Sequence, residues 1–171
     1  ASRSASGHAA SNLDVYQVNS TFYDALGRND VNYLIARAIQ FFAPGTPQVY
    51  YVGLLAGEND QELVERTGVG RDINRHYYSP EEIQETLERP VVGQLMNLIR
   101  LRNDLPAFGG TFSIKDGPNT ELIMRWDNVR EHAELRVDLS SSCATIDYSS
   151  SGVIGRFDIG DTSTLEEAGS V

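Results

Sequence analysis

The chain has 171 residues and a formal charge of −10, which makes duplex nucleic acid and anionic membrane surfaces poor partners. Hydrophobic residues make up 40%, enough for a core, yet no apolar run is long enough to span a bilayer. Cys143 stands alone, so an intrachain disulfide is excluded and a reducing compartment is compatible.

Ala1 to Ala10 is rich in Ala, Ser and Gly and lacks the apolar centre of a secretory leader. With no Met at position 1, it reads as an internal stretch of a longer chain, and a cytoplasmic location is the expectation. Residues 1–28 read as loop-rich, with Leu13, Val15, Tyr16 and Val18 supplying bulky groups. A helix is predicted from Asn29 or Asp30, either of which can cap it. Its apolar face is Val31, Leu34, Ile35, Ala38, Ile39 and Phe42, and Pro44-Gly45 with Pro47 stops it.

Gln48-Val49-Tyr50-Tyr51-Val52 then predicts a strand buried on both faces, ending at Gly53. In an α/β barrel such an end leads into the site, and here it leads towards Glu58, Asp60 and Arg71. Residues 53–78 read as a long functional loop with one helical turn near Glu62 to Glu65. Ser79-Pro80-Glu81-Glu82 opens a helix with a capping box and a proline at its first position. Pro90 restarts a longer helix along Val91, Val92, Leu95, Leu98, Ile99 and Arg102, which Pro106 and Gly109-Gly110 end.

After Gly110 the apolar period changes to that of strands. Leu122, Met124 and Trp126 alternate with Ile123 and Arg125, and Leu135, Val137 and Leu139 with polar neighbours. This predicts a small antiparallel module, with Trp126 and Cys143 as core residues and a frayed tail from Ser149 onward.

Asn12-Leu13-Asp14-Val15-Tyr16-Gln17-Val18-Asn19, the run Pro47 to Gly53, and Gly70-Arg71-Asp72-Ile73-Asn74-Arg75-His76-Tyr77-Tyr78 together resemble the sucrose phosphorylases of the α-amylase superfamily. The resemblance runs in order through about residue 148. It implies an α/β fold: the C-terminal part of a (β/α)8 TIM barrel followed by a small antiparallel β C-terminal domain. The expected divisions are 1–28 as a substrate-loop region, 29–108 as the last helices and eighth strand of the barrel, and 109–171 as the β domain.

The implied activity is reversible phosphorolysis of sucrose to α-glucose 1-phosphate and fructose by a retaining double displacement. That chemistry needs two carboxyl groups about 5–5.5 Å apart. The resemblance puts them upstream of residue 1, so no catalytic residue is assigned in this chain, and the chain alone is expected to be inactive. What it carries is part of the substrate and phosphate shell: Asp14, Val15, Tyr16, Gln17 and Arg71. Asp14 and Gln17 suit hydrogen bonding to fructose hydroxyls. Tyr16 can offer its hydroxyl to phosphate while its ring screens the glucosyl intermediate from water. Arg71 matches an arginine that the family sets against bound glucose, where its rigid fork can hold two hydroxyls.

Blander readings stand beside these. Asp14 could cap a turn, and Arg71 could pair with Asp72 or Glu58. Arg75 and His76 read as structural, and Glu58 and Asp60 are not the catalytic pair. No cofactor or metal is expected: three scattered His and one Cys lack ligand spacing, and Gly68-Val69-Gly70 is not a nucleotide loop. The implied partners are sucrose, fructose, glucose 1-phosphate and inorganic phosphate, and the resemblance allows a homodimer. The alternatives are a phosphorylase for sucrose 6′-phosphate or glucosylglycerate, an amylase-type hydrolase, or a non-catalytic module. Positions 11–19 hold no positive charge, which favours unphosphorylated sucrose.

Overall fold

The computed structural model of the chain describes residues 19–160. Among the described residues six α-helices come first: α1 Phe22–Ala25, α2 Asp30–Phe42, α3 Tyr51–Leu54, α4 Gln61–Thr67, α5 Pro80–Leu87 and α6 Pro90–Asp104. Tight 3-10 turns form at Gly70–Asn74 and Pro106–Gly109. Five strands follow: β1 Thr111–Lys115, β2 Glu121–Asn128, β3 Glu131–Asp138, β4 Cys143–Ser150 and β5 Val153–Ile159. These residues fall into two compact units, 19–33 with 48–93 and 34–47 with 94–160. The division runs inside α2 and inside α6.

In the first unit, α1, α2, α4 and α5 start where the sequence supplies an acceptor for their free N–H groups, whereas α3 has no side-chain cap. Thr21 Oγ1 accepts from the Asp24 amide (3.1 Å), and Asn29 Oδ1 accepts from the Asn32 amide (2.9 Å). Asp60 Oδ1 accepts from the Leu63 amide (2.7 Å), and Gly68 closes α4 in the left-handed conformation (φ 67°). The capping box at α5 is complete: Ser79 Oγ accepts from the Glu82 amide (3.2 Å), and the Glu82 carboxylate accepts from the Ser79 amide (2.7 Å). Tyr33 is fully buried, edge-on to Phe22 and Tyr23, and its hydroxyl donates to the Gly53 carbonyl. Arg89 lies over the Tyr23 ring and donates to the carbonyls of Leu55 (3.3 Å) and Ala56 (3.1 Å). Both tie the 53–56 segment to its own unit.

Two expectations for this unit are corrected. Residues 48–52 are not a strand: 47–50 carry no regular structure, and Tyr51 begins α3. A strand exists only as part of a hydrogen-bonded ladder, and no described strand runs beside this segment. Tyr50 (53% exposed) and Tyr51 (40%) are therefore open here rather than enclosed on both faces. The long loop is also more ordered than predicted. It contains all of α4 and the Gly70–Asn74 turn, closed over a small core of Val64 and Ile73.

In the second unit, the strands form one antiparallel meander in sequence order. The register alternates two faces. Met124, Leu135, Ile146 and Phe157 lie side by side on one face, and so do Trp126, Ala133 and Tyr148. The opposite face carries the row Arg125, Glu134, Asp147 and Arg156. The apolar face forms the core: Ala133, Leu135, Val137 and Ile146 are completely buried. Trp126 Nε1 donates to the Phe42 carbonyl (2.7 Å), which gives a buried indole the one partner it needs. Arg102 stacks its guanidinium 4.2 Å from the Phe108 ring and donates to the Phe41 carbonyl (2.8 Å).

The sheet also corrects the sequence reading. The chain beyond Ser149 is not frayed at once: Val153–Ile159 forms β5, paired along β4. Gly155 allows this, because a side chain there would run into the Tyr148 ring across the ladder. Trp126 is a core residue as expected, but Cys143 is exposed. It pairs with Asp138 on the charged face, so its parity points it away from the core.

Candidate functional site

The first unit contains a pocket of about 510 Å³ whose lining includes Gly57, Glu58, Asp60, His76, Tyr78 and Arg89. Gly57 sits at its floor, where any side chain would meet the Tyr78 hydroxyl and Val52. Asn59, also in the lining, is held from an earlier segment. Thr21 donates its amide to Asn59 Oδ1 (2.6 Å), and Asn59 donates its own amide to Asp24 Oδ2 (2.5 Å). Asp24 also holds Arg28 (2.8 Å), and Arg28 pairs in turn with Glu58.

Asp60 has three tasks. Its amide donates to the Ile73 carbonyl (2.8 Å), Oδ1 caps α4, and Oδ2 meets His76 Nδ1 at 2.7 Å. The other ring nitrogen of His76 faces Glu82 at 3.3 Å, and the imidazole stacks edge-on against Tyr78. Burial alone would lower the His76 pKa, but hydrogen bonds to Asp60 and Glu82 outweigh it and the net direction is up. Burial would raise Asp60, yet the contacts from His76 and the Leu63 amide hold it below the ordinary carboxylate value. Glu82 is lowered by the Ser79 amide and by His76. The network therefore favours a charged imidazolium between two ionised carboxylates.

Of the residues singled out from sequence, Asp14, Val15, Tyr16 and Gln17 lie outside the described residues. Arg71 lies within them, exposed on the Gly70–Asn74 turn, with Gly70 and Ile73 buried beneath it. The bland pairing suggested for it is made by others: Arg75 meets Asp72 (3.6 Å) and Arg28 meets Glu58. Glu58 pairs with Arg28, and Asp60 is held by His76 and the Leu63 amide. Sequence reasoning missed Asn59, and it treated His76 as structural without seeing what it joins. The available signal was Asn59-Asp60 ahead of the helix that buries Leu63 and Val64, a capping pattern whose long-range half only folding reveals.

The helices, turns and antiparallel meander of this chain match part of a glycoside phosphorylase. The solved sucrose 6F-phosphate phosphorylase from Thermoanaerobacter thermosaccharolyticum superposes with a TM-score of 0.80 at 48% identity, over 82% of this chain and 29% of that one. The chain is a homologue of the sucrose phosphorylases. It is 58% identical over 159 residues to that of Agrobacterium vitis, covering 90% of this chain and 33% of the relative. It is likewise 58% identical over 134 residues to that of Bifidobacterium adolescentis, covering 78% of this chain and 27% of the relative. No protein-family model matches the sequence. The chain thus spans about a third of the length of the curated relatives it matches.

Proposed function

We propose that this chain is the C-terminal part of a sucrose phosphorylase and carries part of the shell around sucrose and phosphate. In this reading, 1–28 is a substrate-loop region, 29–108 completes a (β/α)8 barrel, and 109–171 is a β domain. The supporting observation is 58% identity to sucrose phosphorylases over nearly the whole chain. The reaction is a retaining transfer. A carboxylate on the preceding polypeptide attacks the anomeric carbon, a second carboxyl protonates the departing fructose, and phosphate then takes the glucosyl group.

The residues of this chain bind and orient rather than react. Arg71 is exposed on a turn anchored by the buried Ile73, and among the described residues the neighbouring Asp72 pairs with Arg75 instead. A guanidinium fork such as that of Arg71 can grip two glucose hydroxyls. Asp14 and Gln17 take the fructose hydroxyls, Val15 lines the same loop, and Tyr16 serves phosphate and excludes water.

A phosphorylase for sucrose 6′-phosphate is the second reading, supported by the 48% identical solved relative. The absence of Lys and Arg from positions 11–19 favours plain sucrose. Two variants of the whole enzyme test the reading. Arg71→Ala should lower sucrose turnover by about a hundredfold or more, the scale of about 3 kcal/mol of lost transition-state contact. Wild-type rates in that variant would remove Arg71 from the site. Gln17→Phe should weaken fructose use in the synthetic direction and broaden the acceptors accepted, and unchanged acceptor kinetics would refute the role of Gln17.

A further inference from the structure

Two carboxylates of the first unit divide their oxygens in the same way, one for a helix cap and one for His76. Asp60 gives Oδ1 to the Leu63 amide at the head of α4 and turns Oδ2 to His76 Nδ1 (2.7 Å). Glu82 gives Oε2 to the Ser79 amide at the head of α5 and turns Oε1 to His76 Nε2 (3.3 Å). One imidazole therefore joins the capping groups of two helices. Both contacts can be donated at once only when both ring nitrogens carry protons, a form that two flanking carboxylates favour.

The chain between these two caps, residues 61–78, contains α4 and the Gly70–Asn74 turn on which Arg71 is exposed. The turn is closed by the Asp72 amide on the Val69 carbonyl (3.0 Å) and the Arg75 amide on the Asp72 carbonyl (3.0 Å). Ile73 anchors it to the neck of the excursion. Its side chain is buried with Val64, and its carbonyl accepts from the Asp60 amide (2.8 Å).

We infer that His76 is a positioning residue for Arg71: by joining Asp60 to Glu82 it clamps the neck of the 61–78 excursion and so fixes the turn that carries the guanidinium. This rests on the proposed phosphorylase reading, in which Arg71 grips glucose. His76 needs no contact with sugar and acts through Arg71.

The His76 side chain is 33% exposed, so replacing it opens no large cavity, and the two caps keep their own oxygens. The Tyr51 hydroxyl still donates to the backbone carbonyl of residue 76 (3.0 Å). In the whole enzyme, His76→Gln and Arg71→Ala form a double-mutant cycle. The side-chain amide introduced by His76→Gln donates from one end only and cannot serve both carboxylates. Alone, His76→Gln should lower kcat/KM for sucrose about tenfold, with no further loss when it is added to Arg71→Ala. A loss of equal size in both backgrounds, or none in the wild-type background, overturns the inference.

Amide hydrogen exchange, measured with no sugar present, supplies a readout that needs no turnover. His76→Gln should speed exchange about tenfold at Asp60, Asp72 and Arg75, whereas Arg71→Ala should leave those rates unchanged. Acceleration confined to Asp60 would mean that the clamp does not reach the turn, and overturns the inference. An enzyme that does not turn over sucrose would reject the phosphorylase reading, while exchange at Asp72 and Arg75 would still decide whether the clamp exists.

Discussion

His76 sits between two carboxylates, 2.7 Å from Asp60 and 3.3 Å from Glu82, and the balance of charge there depends on pH. Its folded pKa is raised above the unfolded value of 6.5, so its contribution is complete below that value. The contribution is lost as pH rises through the folded pKa. Asp60 and Glu82 run the other way: both are lowered, so what they contribute holds above ordinary carboxylate pKa values and fades as acid protonates them. Stability drawn from this network should therefore peak between the two limits. Urea midpoints followed from roughly pH 5 to 8 should fall on the alkaline side in the wild type and lose that slope in His76→Gln. An unchanged slope would mean that the imidazole gains nothing from its neighbours. Ser79 provides a contrast, since its hydroxyl accepts from an amide and carries no charge. Ser79→Ala should cost about 1 kcal/mol at every pH, read from the same midpoints.

The sheet permits a sharper comparison at the scale of an element. Ile146 and Thr145 are neighbours in β4, but pleating sends Ile146 into the core and Thr145 to the charged face. Ile146→Ala should cost about 2–5 kcal/mol and lower the urea midpoint at constant slope. Thr145→Ala should remain within about 0.5 kcal/mol. Equal losses would mean that the register is wrong by one residue. That alternation explains why the sheet was largely legible from sequence. Leu122, Met124, Trp126, Leu135 and Val137 write a period of two, and the structure keeps it. The α5 capping box and the stop at Pro44-Gly45 were legible for the same reason, because local chemistry decides them. What the sequence hid depended on partners distant in the chain. β5 has Gly155 near its centre and opens on the exposed Val153 and Ile154, a poor strand signal until β4 lies alongside. The 48–52 segment failed in the opposite sense: a strand-like composition lacks a ladder among the described residues. Asn59 reads as an ordinary loop amide, and its bond to Thr21 crosses 38 positions.

At the scale of the whole molecule, the chain matches about a third of each relative, and the proposed reading assigns it binding residues and leaves the reacting carboxyls elsewhere. A general acid at neutral pH needs a carboxyl raised above its ordinary pKa. Asp60 is lowered instead, held by His76 and the Leu63 amide, and Glu58 is occupied with Arg28. Asp60 is therefore not poised to give a proton to a leaving sugar, and either carboxylate would have to break structural bonds before acting as a nucleophile. The exposed Tyr50 and Tyr51 point to the same division of labour, since in the proposed barrel their surroundings belong to the preceding polypeptide. The 171-residue chain produced alone should therefore release no glucose 1-phosphate from sucrose and phosphate, under conditions where the parent enzyme does so readily. A coupled assay for glucose 1-phosphate makes the comparison. Product formed by the chain alone, and abolished by Asp60→Asn, would put a reacting carboxyl in this pocket and overturn the assignment of its residues to binding and positioning.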